Sequence, residues 1–522
     1  MDDLNRRSFL KNVGLGAAAL YGGQALRAAG GGAGRKRPNI VYILADDLGY
    51  GDVHYQNPDS KIPTPNLDRL AHRGRRFTDA HSASSVCSPT RYALLTGRYA
   101  WRTRLKSGVL WPPDEPLISR DRMTVASLLK RQGYHTACVG KWHLGLGWAL
   151  KEGEGEQIDF SKPIAHNPTD LGFDYFFGIP GSLDMDPYCY VRNDHVVETP
   201  TVQVPRGKFG RPGLAVEGLE PEHVLPRFTE EAVSVIDTHA KRRYNKPLFL
   251  YFPLSAPHKP VAPSKKFQGS TEMGAYGDFV HEVDWTVGQV IKALQKNNML
   301  ENTLVIFTAD NGASPNASRS AMQLGHEPCR PLRGMKSDIW DGGHRVPFIA
   351  HWPGHVPAGT SCSDTVCLND LLATVAAMHD VELPDDAGED SFNMLAQLLG
   401  KEPGDDSREA MVQFQEATVH HSVFGYFAIR KGRWKLCLCA GSGGWATDPR
   451  TKKARQMGWP SVQLYDMEND LAEQNNVYKQ HPEVVKELKA ELTEYIKKGR
   501  STPGKPQKNW QGKNEWEQVN WL

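Results

Sequence analysis

The chain has 522 residues, of which 62 are basic and 60 acidic, and this near-neutral balance gives nucleic acid no electrostatic handle. With 39% hydrophobic and 23% charged residues it has the composition of a soluble globular protein. Its length allows one large domain and a smaller one.

Residues 1–30 read as an address rather than a fold. Arg6 and Arg7 precede Phe9 and Leu10, a weakly apolar run rich in Gly and Ala extends from Val13 to Leu26, and Ala28 and Ala29 suit a signal peptidase. This is the pattern of a twin-arginine export signal, which predicts the twin-arginine machinery as a partner and a periplasmic or secreted location. The apolar run is too short and too glycine-rich to cross a bilayer, and no later run is long enough, so no stable membrane span is expected. Residues 31–37 form a flexible basic linker. Export implies an oxidising compartment, yet eight cysteines, seven once Cys87 is set aside, do not make a disulfide framework. Cys362 and Cys367 are a candidate pair, whereas Cys437 and Cys439, two apart on one strand, would strain any bridge.

The run Asn39 to Leu44 is continuously apolar or β-branched apart from its first residue, as in a strand buried on both faces of a parallel sheet. It stops at Asp46 and Asp47, which places two carboxylates at the carboxyl edge where open α/β sheets hold ligands. Cys87, Ser88 and Pro89 then open a helix-compatible run, Tyr92 to Leu95, closed by Gly97. Cys87 is thus expected at a helix N-terminus, where free N–H groups and the helix dipole favour negative charge, with Arg91 one turn on.

Three further runs repeat the strand-to-polar pattern. Tyr134 to Val139 leads into Lys141 and His143, Leu248 to Leu254 into His258, and Leu304 to Thr308 into Asp310 and Asn311. Helices separate them: Thr124 to Gln132, and Phe279 to Lys296 with the stripe Phe279, Val283, Val287, Val290, Ile291 and Leu294. Two long polar stretches, 151–170 and 194–226, read either as walls of the resulting pocket or as plain surface insertions. Later come a strand at Phe348 to Trp352, a helix at Cys367 to Asp380, a hairpin at Phe424 to Leu438 turning at Gly432, and a helix opened by Pro482 with the stripe Val485, Leu488, Leu492, Tyr495 and Ile496. Trp510, Trp516 and Trp521 are read as tethers for the tail.

Asp46, Asp47, Asp310 and Asn311 offer oxygen ligands only, which suits a hard cation, calcium before magnesium because side-chain oxygens dominate. Taken singly, Asp-Asp is also a helix cap and Asp-Asn-Gly a turn.

Cys87 to Arg91 followed by Leu95 to Arg98 resembles the signature of the type I sulfatases. The resemblance runs from Pro38 to Tyr495 through Asp46–Asp52, Gly140–Gly145, the segment around His258, Thr308–Gly312, Leu332–Pro347 and Leu464–Asn476. It implies an alkaline-phosphatase-like α/β fold: a large mixed, mostly parallel sheet sandwiched by helices, plus a smaller C-terminal α+β subdomain. On that basis residues 38–400 are the catalytic domain, 408–499 the subdomain and 500–522 a tail. It further implies a sulfuric ester hydrolase acting on a sulfated carbohydrate or aryl sulfate. Cys87 would be oxidised to formylglycine (3-oxoalanine) by a formylglycine-generating enzyme, and one calcium would be held by Asp46, Asp47, Asp310, Asn311 and the modified Cys87. Arg91 would steady the aldehyde hydrate, Lys141, Lys336 and Ser182 would contact sulfate, His143 would regenerate the aldehyde, and His258 would face the leaving group. Asp341 stands where the family often has glutamate, a change expected to affect packing. Phosphate or phosphonate ester hydrolysis on the same fold is the alternative activity, and an inactive carbohydrate-binding relative the alternative class.

Overall fold

A computed structural model describes residues 37–153, 157–242, 245–401, 417–512 and 516–522. The expected export signal, and the linker up to residue 36, lie outside the described residues. No helix among the described residues is long and apolar enough to cross a membrane.

The continuous apolar runs form the centre of a ten-stranded sheet. Its parallel core runs in the order Thr303–Ala309, Asn39–Ala45, Leu248–Pro253, His135–Lys141 and Tyr175–Ile179. All seven residues of the first two strands are buried, which is why their sequences do not alternate. Ala45 pairs with Ala309. The Asp310 N–H then donates to the Ala45 carbonyl at 3.0 Å and the Asp46 N–H to the Ala256 carbonyl at 2.9 Å, so three chain segments leave the sheet together at one edge. Phe348–His351 runs antiparallel to Thr303–Ala309, and short strands at both margins make the sheet mixed.

Several elements differ from the sequence reading. The stretch 194–226, too rich in Gly, Pro and charge for regular elements to be expected, contains them: Val202–Val204 pairs with Gly213–Ala215 and the helix Val224–Lys241 begins inside it. Pro226 hid that helix, although proline in a first turn removes no intrahelical bond. Pro65–Arg73 is another helix, with proline at its start. Helix Gly274–Lys296 extends five residues ahead of Phe279 and packs on Val224–Lys241, where the Thr229 and Thr286 hydroxyls lie 3.1 Å apart. All eight cysteines are buried free thiols, so Cys362 and Cys367 are not bridged. Each ends a different short strand, Thr360–Cys362 and Val366–Cys367, and the sheet register pairs them with Phe77 and His81 instead.

The C-terminal part is a four-stranded antiparallel sheet of Ala417–His421, Phe427–Lys431, Trp434–Cys437 and Gln463–Asp466, covered by the helix Pro482–Lys498. The hairpin turns at Gly432, and the helix buries Leu488, Leu492 and Ile496. In the tail, the Trp516 ring lies 5.7 Å from those of Trp101 and Phe427, as a tether does.

Lys435 on this small sheet reaches the short helix Asp341–His344, which leads into the strand Phe348–His351 of the large one. Its ammonium lies 2.7 Å from Asp341 and 2.9 Å from Glu473, and all three side chains are fully buried. Burial opposes ionisation of Asp341, but Lys435 and Arg345 outweigh it and hold the carboxyl well below the usual range. The aspartate therefore anchors the small sheet to the segment that precedes Phe348–His351, in keeping with a packing role for the departure at this position. Lys435→Ala would leave the buried Glu473 carboxylate without its cation and Asp341 with Arg345 alone, and is expected to cost about 3–5 kcal/mol of stability. Calorimetric unfolding of the variant, with a lowered melting temperature, checks this.

Candidate active site

Cys87 is the first residue of the helix Cys87–Thr96, which Val86 caps in an extended conformation and Gly97 ends in a left-handed one. Every residue of this helix is buried, so it is an internal strut that aims one end at the sheet edge. The Cys87 Sγ lies 3.5 Å from Asp46 Oδ1, 4.0 Å from Asp47 Oδ1 and 3.6 Å from the Lys336 ammonium. Burial pushes the Cys87 thiol well above its ordinary pKa despite Lys141 and Lys336. The side chain as it stands is a neutral thiol and a poor nucleophile.

The carboxylates around it are each matched to a cation. Lys141 Nζ sits 2.9 and 2.7 Å from the two oxygens of Asp46, and Lys336 Nζ 2.7 Å from Asp47. Arg91 binds Asp310 Oδ2 through Nε at 3.1 Å and Nη2 at 2.7 Å, and donates to the Lys141 carbonyl at 3.0 Å. Burial opposes the charge on Asp46, but Lys141, His258, Arg91 and Lys336 hold its pKa well below the usual value. Asp310 is shifted the other way, raised by burial and by the neighbouring Asp46 charge. Burial likewise disfavours the Lys336 ammonium, and Asp47 more than offsets it.

Both histidines have their tautomers set by carbonyls, which can only accept. His143 Nε2–H donates to the Leu110 carbonyl at 2.9 Å, leaving Nδ1 buried without a hydrogen-bond partner. His258 Nδ1–H donates to the Lys259 carbonyl at 2.6 Å, and its Nε2 faces Ser182 Oγ at 3.4 Å and Asp47 Oδ2 at 3.6 Å. Burial, then Lys141 and Arg91, press the His143 pKa down; burial, then Lys336, press down that of His258. Ser182 Oγ accepts from Lys141 Nζ at 2.7 Å. Asp47 and His143 hold φ of 65° and 59°, left-handed values costly for residues with a Cβ and tolerated where a site dictates them. Between them Gly140 is obligatory, since a Cβ there would lie 1.8 Å from the Pro253 carbonyl oxygen.

All eleven residues singled out from sequence therefore meet in one buried pocket. Asp46, Asp47, Cys87 and His258 place ligand atoms within 4.8 Å of one another. Asp310 lies outside that group, its Oδ1 taking the Asp47 N–H at 3.1 Å and its Oδ2 taking Arg91. Asn311 donates to Asp47 at 2.8 Å, while its own buried Oδ1 has no partner. Clustered carboxylates plus an unpartnered amide oxygen are a donor set that fits a hard divalent cation. A pocket lined in addition by Arg91, Lys141 and Lys336 and by two imidazoles can hold an oxyanion, neutralise it and move protons at its edge. The Leu110 carbonyl that orients His143 has no sequence signature, because a backbone group is supplied by whatever residue the loop places there.

The sulfatase family model matches residues 38–381. The chain is 34% identical over 515 residues to an N-acetylgalactosamine-6-O-sulfatase of Bacteroides thetaiotaomicron, covering 89% of this chain and 94% of that protein. It is 35% identical over 488 residues to human arylsulfatase A, covering 89% of each. Among solved structures, one from a Bacteroides thetaiotaomicron locus for glycosaminoglycan metabolism superposes with a TM-score of 0.76 at 33% identity, covering 88% of this chain and 99% of that one. Another, solved with a bound neocarrahexaose, gives 0.67 at 26% identity, covering 93% and 97%. The chain belongs to the sulfatase family, on the alkaline-phosphatase-like fold, and is an enzyme that hydrolyses sulfate esters.

Proposed function

We propose that this sulfatase acts through Cys87, converted to formylglycine by a formylglycine-generating enzyme, and through one calcium ion, on a sulfated carbohydrate. The observation that carries the reading is the convergence at the helix start, where the Cys87 Sγ stands 3.5 Å from Asp46 and 3.6 Å from Lys336. Asp46, Asp47, Asp310 and Asn311, with the modified Cys87, would hold the calcium, whose charge stabilises the oxygens of the sulfuryl group. Once formed, the hydrated aldehyde would offer one hydroxyl to attack sulfur as the S–O bond to the alcohol breaks, and a second whose deprotonation would break the C–O bond, release sulfate and restore the aldehyde.

The chain's own residues perform the rest. Lys141, Lys336 and Ser182 grip sulfate oxygens, so that the sulfur is presented to residue 87 rather than to water. Arg91 clamps Asp310 and fixes the charge beneath the helix start. His143, neutral and with a bare Nδ1, takes the proton that allows sulfate to depart. His258 Nε2 faces the leaving oxygen.

A sulfated sugar as substrate is supported by the relatives, one of which is named for N-acetylgalactosamine 6-sulfate. The arginine pair near the start supports twin-arginine export to the periplasm or beyond, a route that would carry the folded, modified enzyme. We place the catalytic domain at 38–400 and the subdomain at 408–499, with a tail at 500–522.

Two measurements test the site. Mass spectrometry of the tryptic peptide spanning Cys87, from active enzyme, is expected to show the aldehyde, and finding only thiol would overturn the modification. Asp310→Ala removes one carboxylate from the cation and leaves Arg91 paired with Asp46 alone, 3.4 Å away, so bound calcium is expected to fall at least about tenfold together with activity. Metal analysis equal to wild type would refute the ligand assignment.

A further inference from the structure

Three residues outside the sulfate pocket are tied to it through the backbone, and a fourth joins them by side-chain contact. Trp111 follows Leu110, whose carbonyl holds His143 and whose N–H donates to Ser88 at 3.1 Å. Asp184 lies two residues beyond Ser182, and Lys259 follows His258, accepting its Nδ1–H. Arg211 arrives from the polar stretch 194–226, and its guanidinium lies 4.5 Å above the Trp111 ring.

These side chains are built into place. Asp184 is 1% exposed, and its Oδ2 takes Lys259 Nζ at 3.2 Å and faces Arg211 Nη2 at 3.6 Å. Its Oδ1 and Arg211 Nη1 are both buried without hydrogen-bond partners. Unpartnered buried polar atoms are costly, and they persist where a ligand completes them. Here a bare acceptor and a bare donor belong to two groups in contact. One sugar hydroxyl satisfies both, because it donates to a carboxylate and accepts from a guanidinium.

Trp111 supplies the other half of such a site. It is 45% exposed although large and apolar, and its loop is stiff. The Trp111 N–H donates to Asp114 at 2.6 Å, the Trp148 indole N–H donates to the Pro112 carbonyl at 2.9 Å, and Pro112 packs so closely on Gly181 that a Cβ there would lie 2.8 Å away. An aromatic ring nearly half exposed beside convergent polar groups, as Trp111 is with Arg211 over one face, is how proteins bind the apolar face of a sugar ring.

We propose that Trp111, Asp184, Arg211 and Lys259 form the subsite for the sugar ring that carries the sulfate ester, with Asp184 and Arg211 together reading one free ring hydroxyl and Trp111 stacking on the ring. The subsite rests on the carbohydrate reading above and makes it specific: the substrate is a pyranose sulfate with at least one free hydroxyl close to the ester. It also explains why Asp184, Lys259 and Trp111 stand within two residues of Ser182, His258 and the Leu110 anchor of His143, since the ring must lie against the side of the pocket from which the alcohol leaves.

The test compares kcat/KM on N-acetylgalactosamine 6-sulfate, its monodeoxy analogues and nitrophenyl sulfate for wild type, Trp111→Ala and Asp184→Ala. Trp111 is exposed, so its variant reports even if Asp184→Ala folds poorly. Each variant is expected to lose about 10- to 100-fold more on the sugar sulfate than on nitrophenyl sulfate, the size of a lost charged hydrogen bond or stacked ring. One deoxy analogue should be handled poorly by wild type but suffer no further loss in Asp184→Ala, marking the hydroxyl that Asp184 reads. Equal losses on both substrate classes, with wild type active on the sugar, would overturn the subsite and leave the carbohydrate reading intact. A wild type that cleaves nitrophenyl sulfate and no sugar sulfate in a broader panel would overturn the carbohydrate reading and the subsite with it.

Discussion

Cys87→Ser is expected to give an enzyme that reacts once and stops. A serine hydroxyl at the helix start retains one nucleophilic oxygen, so the sulfuryl group can be taken from an aryl sulfate. It lacks the second hydroxyl whose deprotonation would expel sulfate by breaking the carbon–oxygen bond. Rapid mixing with nitrophenyl sulfate should show a burst of no more than one nitrophenol per active site, with mass spectrometry placing one sulfate on residue 87. Cys87→Ala should show no burst. Its steady-state rate is expected to fall on the order of 10⁶-fold, the scale of losing a covalent nucleophile. Because Cys87 is deeply buried and both replacements are small, neither removes much packing, and the loss should be chemical rather than structural. Sustained turnover by the serine variant, near the wild-type rate, would show that the second hydroxyl is not needed and that residue 87 acts in another way.

The parts of the fold that could be read from sequence are those with one local cause. Asn39–Ala45 and Thr303–Ala309 are buried on both faces, so an unbroken apolar run marks each within a residue or so. The polar residues that end those runs were legible for the same reason: a charge cannot continue a buried strand, and parallel strands bring their ends to one edge. The missing elements had conflicting signals. Val224–Lys241 carries a proline in its first turn, and Tyr175–Ile179 is a short strand between polar loops. Nor could residue identity reveal which carboxylate each cation would meet. Arg91 takes Asp310 and Lys336 takes Asp47 because the helix Cys87–Thr96 and the loop after Asn311 cross the sheet edge at set heights, a property of the packed structure. The same holds for Asp184, whose sequence surroundings announce a turn while its function follows from Arg211, 27 residues away in the chain and in contact only after folding.

His258 separates binding of sulfate from departure of the alcohol. Its imidazole is oriented by the Lys259 carbonyl so that Nε2 looks into the pocket, 3.4 Å from Ser182 and 3.6 Å from Asp47. From there it can hold a sulfate oxygen, or it can protonate the bridging oxygen as the ester bond breaks. Nitrophenolate is a weak base and leaves without a proton, whereas a sugar alkoxide is a far stronger base and needs one in the transition state. The carboxylate of Asp47 beside Nε2 favours the protonated ring that such a role requires, even though burial and Lys336 oppose it. His258→Ala is therefore expected to cost about 10²–10⁴-fold in kcat/KM on a sugar sulfate, the usual range for a general acid, and much less on nitrophenyl sulfate. A series of aryl sulfates of rising leaving-group pKa should show the same thing as a slope: shallow in wild type, where the proton is supplied, and steep in the variant. Parallel slopes with a uniform loss would mean that His258 grips sulfate and that another group, or water, protonates the alcohol.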